Sequence, residues 1–445
     1  MTSNVTLNLA TVGGGSTIAT EDIGGIQFQR VKLALGASGQ DLGDVSGSNP
    51  MVVEMGGASV SAFGDLIVAE NTPLIQMDFV YGINAQTGTS TIVTTGVVDT
   101  SAARLRVQSG TGAAGSGLFE SKRSARYRPG QGMTARFTAA FATSAANSSQ
   151  TIGVGTAANG YFVGYNGVDF GILHRNNSTD TWVAQTAWNG DKCNGTGTSG
   201  FTINTAFGNV FQIRYPYLGY GAITFWILNS TGRWILCHTI QYPNTTATTQ
   251  LSNPSLRFRA QAINTGSTTN LTIYCGSVGV SLSGIRSFTS YPKWAYDNNK
   301  ATITAETNIF SLKNCTTYNG STNEGQLRLN SISVGTAGSN GVVVLRLRVG
   351  ATLGGTATYA AISGTTADNG VTITSGSSIA SANTVHTTAT GGTYIYNLAL
   401  SGAGAQVIDL TALDIFIAPT EILTLSGFAT NAATIAASLN WAEDQ

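Results

Sequence analysis

Charge is scarce in this chain: Asp, Glu, Lys and Arg make up 10% of its residues, against about 25% in an ordinary soluble domain. Lys and Arg are missing altogether from Val349 to Gln445, a run of 97 residues that offers trypsin no site. Histidine occurs three times, as His174, His238 and His386, and no Glu lies between Ser121 and Ala305. Each shortage removes a chemistry. Three scattered His make poor metal ligands, and no DxDxDG loop is present to hold Ca²⁺. Glycoside hydrolysis needs two carboxyl groups about 5 Å or 6.5–9.5 Å apart. In the aromatic-rich centre only Asp169, Asp180, Asp191 and Asp297 are on offer, so an Asp pair such as Asp169 and Asp180 is the one arrangement left open. There is no GxSxG elbow, and Gly-rich stretches such as Gly110–Gly115 lack the Lys and helix that cradle a phosphate. The chain is therefore expected to have no catalytic residue, no cofactor and no metal ion, and not to be an enzyme.

Long apolar runs are also missing. No stretch approaches the roughly 20 residues of a membrane span, and Met1–Asn4 shows no basic patch leading into an apolar segment, so neither membrane insertion nor a secretory leader is expected. Cys193, Cys237, Cys275 and Cys315 lie 44, 38 and 40 residues apart, which fits neither a zinc pair nor a CxxC motif. They read as buried thiols.

What remains is apolar and finely alternated. Hydrophobic residues make up 42% of the chain, enough for a real core, and 445 residues suggest two to four domains. The 22 basic and 22 acidic residues cancel overall, but residues 1–348 hold all 22 basic and 16 acidic groups, leaving them at plus six and the remainder at minus six. Neither part is basic enough to neutralise a run of phosphates, so nucleic acid is not an expected partner. The asymmetry either favours head-to-tail contact between subunits or is incidental.

Period two runs throughout. Leu256, Phe258, Ala260 and Ala262 alternate with Arg257, Arg259 and Gln261; Leu345, Leu347 and Val349 alternate with Arg346 and Arg348; Tyr394, Tyr396, Leu398 and Leu400 share one face. Gly, Asn and Ser clusters bound these runs as turns do. The Ala-rich end, Ala429–Glu443, is the best helical stretch, yet Ile435, Ala437, Leu439 and Trp441 alternate too and predict a closing strand. The fold class is all-β: an extended N-terminal arm over 1–55, interrupted by Gly13–Gly15; a large antiparallel β-sandwich, jelly-roll or concanavalin-like, over 56–285; a linker over 286–299; and a smaller C-terminal β-sandwich of some eight strands over 300–445. No repeat of 20–50 residues argues for a propeller or β-helix.

Asp22–Gly36, with Asp44-Val-Ser46 and Asn49–Val53 after it, resembles the N-terminal pattern of many tailed-bacteriophage virion proteins. Leu118–Gly132, Gly164–Arg175, Trp188–Lys192 and Gly208–Tyr215 resemble a large β domain of phage and large-virus structural proteins, and Ala437–Asp444 is similar to their chain endings. The resemblance implies a fibre, tail or capsid-decoration protein of the virion, assembled in the host cytoplasm and docked on other virion proteins, with a threefold homotrimer as the usual assembly. It places virion docking on the arm, at Gly24, Gly25, Phe28, Arg30 and Lys32.

Two further groups are candidate sites. Lys122, Arg123, Arg126 and Arg128 form the one basic cluster; on a strand, Lys122, Arg126 and Arg128 would share a face, suited to intersubunit ion pairs, with Glu120 among the partners, or to an acidic ligand. Tyr161, Phe162, Tyr165, Trp182 and Trp188 interleave with Asn166, Asp169, His174, Asn176 and Asn177. Aromatic faces beside amides and carboxylates are what sugars require, so Tyr161, Tyr165, Asp169, Trp182 and Trp188 are the candidate site for a host surface glycan, with the core of a sandwich as the competing explanation. The expected function is structural, by self-association on a phage particle; the alternative is a receptor-binding fibre.

Overall fold

The computed structural model describes residues 71–445 apart from 143, 286–290, 339–340, 364–376 and 445, together with the backbone of three strands nearer the N-terminus. Those three, Asn4–Thr6, Thr17–Ile23 and Ile26–Gln29, form an antiparallel sheet within a unit spanning Met1–Ala58, the region expected to be an extended arm. The second unit, Ser59–Gln445, is built from strands, with two short 3-10 turns at Gln185–Ala187 and Thr411–Leu413 as its helical content among the described residues.

Two sheets make the first sandwich. One has seven strands, in the order Thr179–Ala184, Asp169–Asn176, Gly160–Asn166, Ser148–Gly155, Arg257–Asn264, Ser116–Ser121 and Gly88–Val93. The other has nine, running from Trp234–Ile240 through Ile223–Leu228 and Asn209–Tyr215 to Met133–Phe141, where it forks toward Thr272–Cys275 and toward Ser277–Ser283. Alternation decides what lies between them. Phe258, Ala260 and Ala262 point inward while Arg257, Arg259 and Gln261 point away, and Phe119, Phe137, Phe211 and Phe258 meet ring to ring at 5.7–6.5 Å. Such contacts add about 0.5–1.5 kcal/mol each beyond the area they bury.

The second sandwich has its own core, around Phe310, Leu345, Leu425, Leu439 and Trp441. Its five-stranded sheet runs Lys293–Ile303, Ala433–Asp444, Gln326–Ala337 and Gly404–Asp409, with Phe416–Ile417 also on Gln326–Ala337. The opposing six-stranded sheet contains Thr307–Asn314, Ile422–Ala429, Val342–Val349 and Thr393–Ser401. The closing strand expected at the C-terminus is present as Ala433–Asp444, paired on both sides. Of the linker expected over 286–299, residues 286–290 lie outside the described residues, and from Lys293 the chain is a strand, because Trp294 and Tyr296 alternate onto the second core. Among the described residues no helix is long and apolar enough to cross a membrane.

Candidate functional site

The basic cluster does not lie on a strand. The chain leaves its sheet after Ser121, touches back once where Ala125 bridges Leu256, and otherwise runs irregularly toward the second sandwich. There it meets acids about 300 residues away in sequence. Lys122 Nζ lies 2.6 Å from Glu421 Oε1, Arg123 2.6 Å from Asp414, Arg126 3.2 Å and Arg128 2.6 Å from Asp444. Arg257 adds a bridge of 3.1 Å to Glu324, and Arg328 holds the other oxygen of Asp414 at 3.0 Å. Arg123 also stacks on Phe416 and Arg128 on Tyr291. The expected intersubunit strip of Lys122, Arg126 and Arg128 is thus a seam inside one chain, and Glu120 pairs instead with Arg259 on the neighbouring strand. Lys122, Arg123, Arg126 and Arg128 come from the plus-six part, and Asp414, Glu421 and Asp444 from the minus-six part. Burial pushes the Glu324 carboxyl up, with Arg257 pulling it back. Desolvation likewise pulls down the Arg126 and Arg128 guanidiniums against the attraction of Asp444.

The aromatic candidates divide between opposite faces of one sheet. Tyr161 pairs with His174, and Tyr165 with Phe170, so both rings face the core. Tyr161 is fully buried, stacks on His174 at 5.5 Å and donates its hydroxyl to Gln250. Trp188 is 3% exposed and packs on Phe170 at 6.0 Å. Trp182 pairs with Leu173, which places it on the outer face. A Cβ on Gly171 would come within 2.9 Å of the Trp182 ring, so the absent side chain lets the indole lie close to the sheet. Asp169 is exposed at the end of its hairpin. Period two therefore separates Trp182 from Tyr161 and Tyr165, while Trp188 lies off the sheet, after the turn Gln185–Ala187, and the five form no common platform.

The carboxylates stay apart as well. Asp169 and Asp180 pair at opposite ends of the strand Asp169–Asn176, about 20 Å apart at 3.3 Å per residue, too far for glycosidase chemistry. Asp180 is held by Arg175 at 2.6 Å. For Asp191, desolvation raises the carboxyl, but the backbone N–H groups of Ser199 and Cys193, each at 2.8 Å, hold it below the usual range. That is turn chemistry. His174 Nε2 donates to the Gln250 carbonyl at 2.6 Å, and burial keeps its imidazole, like that of His238, below the ordinary value. The four cysteines are free; Cys193 and Cys237 lie with sulfurs 3.5 Å apart. Among the described residues no three His, Cys, Asp or Glu converge as metal ligands. Of the docking residues, Phe28 falls in the strand Ile26–Gln29, while Gly24, Gly25, Arg30 and Lys32 lie outside the described residues.

Sequence reasoning missed one site. Between the sandwiches, beside the seam, lies a cleft of about 650 Å³ lined by Thr87 and Lys122 on one side and by Gly350, Tyr394, Asp414 and Glu421 on the other. Its walls are some 300 residues apart in sequence, and no local pattern announces it.

No protein-family model and no curated protein matches this chain. Among solved structures, a cellulose-induced protein, Cip1, overlaps 46% of this chain and 96% of its own at a TM-score of 0.32 and 15% identity. A legume lectin-like domain from Entamoeba histolytica covers 46% and 95% at 0.29 and 12% identity, and an endo-beta-1,4-glucuronan lyase from Trichoderma reesei covers 47% and 95% at 0.29 and 14%. At such scores the likeness transfers no activity, and the sandwich architecture stands on the strand pairing itself.

Proposed function

We propose that this protein is a structural component of a phage virion, of the fibre, tail or capsid-decoration type, and that it works by association rather than by catalysis. One observation carries the reading. The strand Gly404–Asp409 is the outermost of its sheet, exposed along nearly its whole length with Val407 at 74%, and Asp409 is its one charged residue. Exposed edges are normally guarded by Lys, Pro or bulges, because unpaired N–H and C=O groups recruit a further strand. An unguarded edge on a body fixed by the charge seam suits repeated assembly with copies of itself. The resemblance of Leu118–Gly132 and Gly164–Arg175 to virion proteins supports the location.

The test is direct: antibodies raised against the purified chain are applied to phage particles purified from the source culture and viewed by electron microscopy with gold labels. Regular labelling at one position on the particle is expected. Unlabelled particles, with the protein found only in the soluble fraction, would overturn the reading.

A further inference from the structure

The cleft between the sandwiches goes beyond a purely structural role. Alternation places Tyr394 on the inward face with Tyr396, Leu398 and Leu400, yet Tyr394 is 49% exposed and lines the cleft. A bulge is the cause: Leu347 pairs with Tyr396 and Arg348 with Tyr394, which leaves Ile395 as the extra residue and turns Tyr394 outward. Bulges of this kind re-aim side chains and are common beside binding sites. The guanidiniums of Arg346 and Arg348 lie 5.5 and 5.2 Å from the Tyr394 ring and hold it in place, and both are anchored in turn by Glu306.

Around this ring are fixed polar groups. Glu421 is held by Lys122 and by the Ala418 N–H at 3.0 Å, and Asp414 by Arg123 and Arg328. Their carboxylates are oriented before any ligand arrives, so a ligand hydroxyl meets acceptors whose entropy is already spent. Gly350, at φ +73°, has nothing within 4 Å of its missing Cβ and leaves that part of the wall bare. The volume of about 650 Å³ falls inside the range of roughly 300–1,000 Å³ typical of small-molecule pockets. Every charge at the cleft already has an opposite partner, which disfavours a charged ligand. An exposed ring, preset hydrogen-bonding groups and neutral balance point to one class of compound.

We propose that this cleft binds a short, uncharged carbohydrate, with Tyr394 stacking on a sugar face and Asp414, Glu421 and Lys122 receiving its hydroxyls. The proposal holds wherever the chain is carried. Saturation-transfer NMR and calorimetric titration of the full chain would use maltose, cellobiose, lactose and chitobiose, with digalacturonate as the charged comparator. At least one neutral disaccharide should bind saturably with a Kd near or below about 1 mM. Tyr394→Ala should weaken it about tenfold or more, and Thr393→Trp, at the exposed cleft rim, should block it. Tyr220→Ala, an exposed ring outside the cleft lining, should leave it unchanged, and the melting temperatures of all three variants report that they fold. No saturable binding of any neutral sugar up to about 20 mM would overturn the proposal. So would preferred binding of digalacturonate, or binding that survives Tyr394→Ala and is lost in Trp182→Ala, which would put the sugar on the outer face of the first sandwich.

Discussion

His174 stacks on Tyr161 and donates to a backbone carbonyl, and its environment gives it a definite pH dependence. Burial, opposed by the Gln250 carbonyl, holds the native imidazole below its ordinary 6.5, so the unfolded chain takes up the proton first. Stability is whole above pH about 6.5 and falls as the pH drops toward the lower native value. His174→Gln keeps an N–H for the carbonyl but cannot titrate, so urea midpoints at pH about 7.5 and 5.5 should differ less in the variant than in the parent. An unchanged difference would show that His174 does not carry the effect. Asp444 is the second decisive residue: 3% exposed, it serves both Arg126 and Arg128. Asp444→Asn should cost about 2–4 kcal/mol in chemical denaturation, somewhat under a fully buried pair because both arginines keep part of their hydration.

Strands were the most legible part of the sequence, and irregularities within them the least. Leu345 and Leu347 point inward as their alternation requires, and the alternation of Ile435, Ala437, Leu439 and Trp441 marks the closing strand. The same periodicity gives the wrong face for Tyr394, because a one-residue bulge is set by the partner strand and leaves no mark in the local pattern. Arg348 is likewise buried, against Glu306 and Ser426, where alternation would expose it. The closing strand carries its own test. Trp441 is fully buried and its indole N–H reaches Glu443 at 3.0 Å, so Trp441→Ala should cost about 3–5 kcal/mol; a loss under about 1 kcal/mol would deny that this strand anchors the second core. Val407→Lys, on the exposed edge, should leave the melting temperature within a few degrees and abolish self-association.

At the scale of the molecule the two sandwiches are joined by charge. The composition showed the two opposite excesses, but not that they meet, since partners such as Lys122 and Glu421 are brought together only when both sandwiches have formed. The seam should make them melt together: calorimetry on the parent is expected to give one transition. Asp414→Asn with Glu421→Gln should split it in two, and high salt should narrow the contrast between parent and variant. The central claim, that the chain is made to associate, is tested most directly by the mass of the purified full-length protein at micromolar concentration, by light scattering after size exclusion. A closed oligomer, three chains in the case of a fibre, is the predicted result. A single species at 45.9 kDa across the whole concentration range would contradict it.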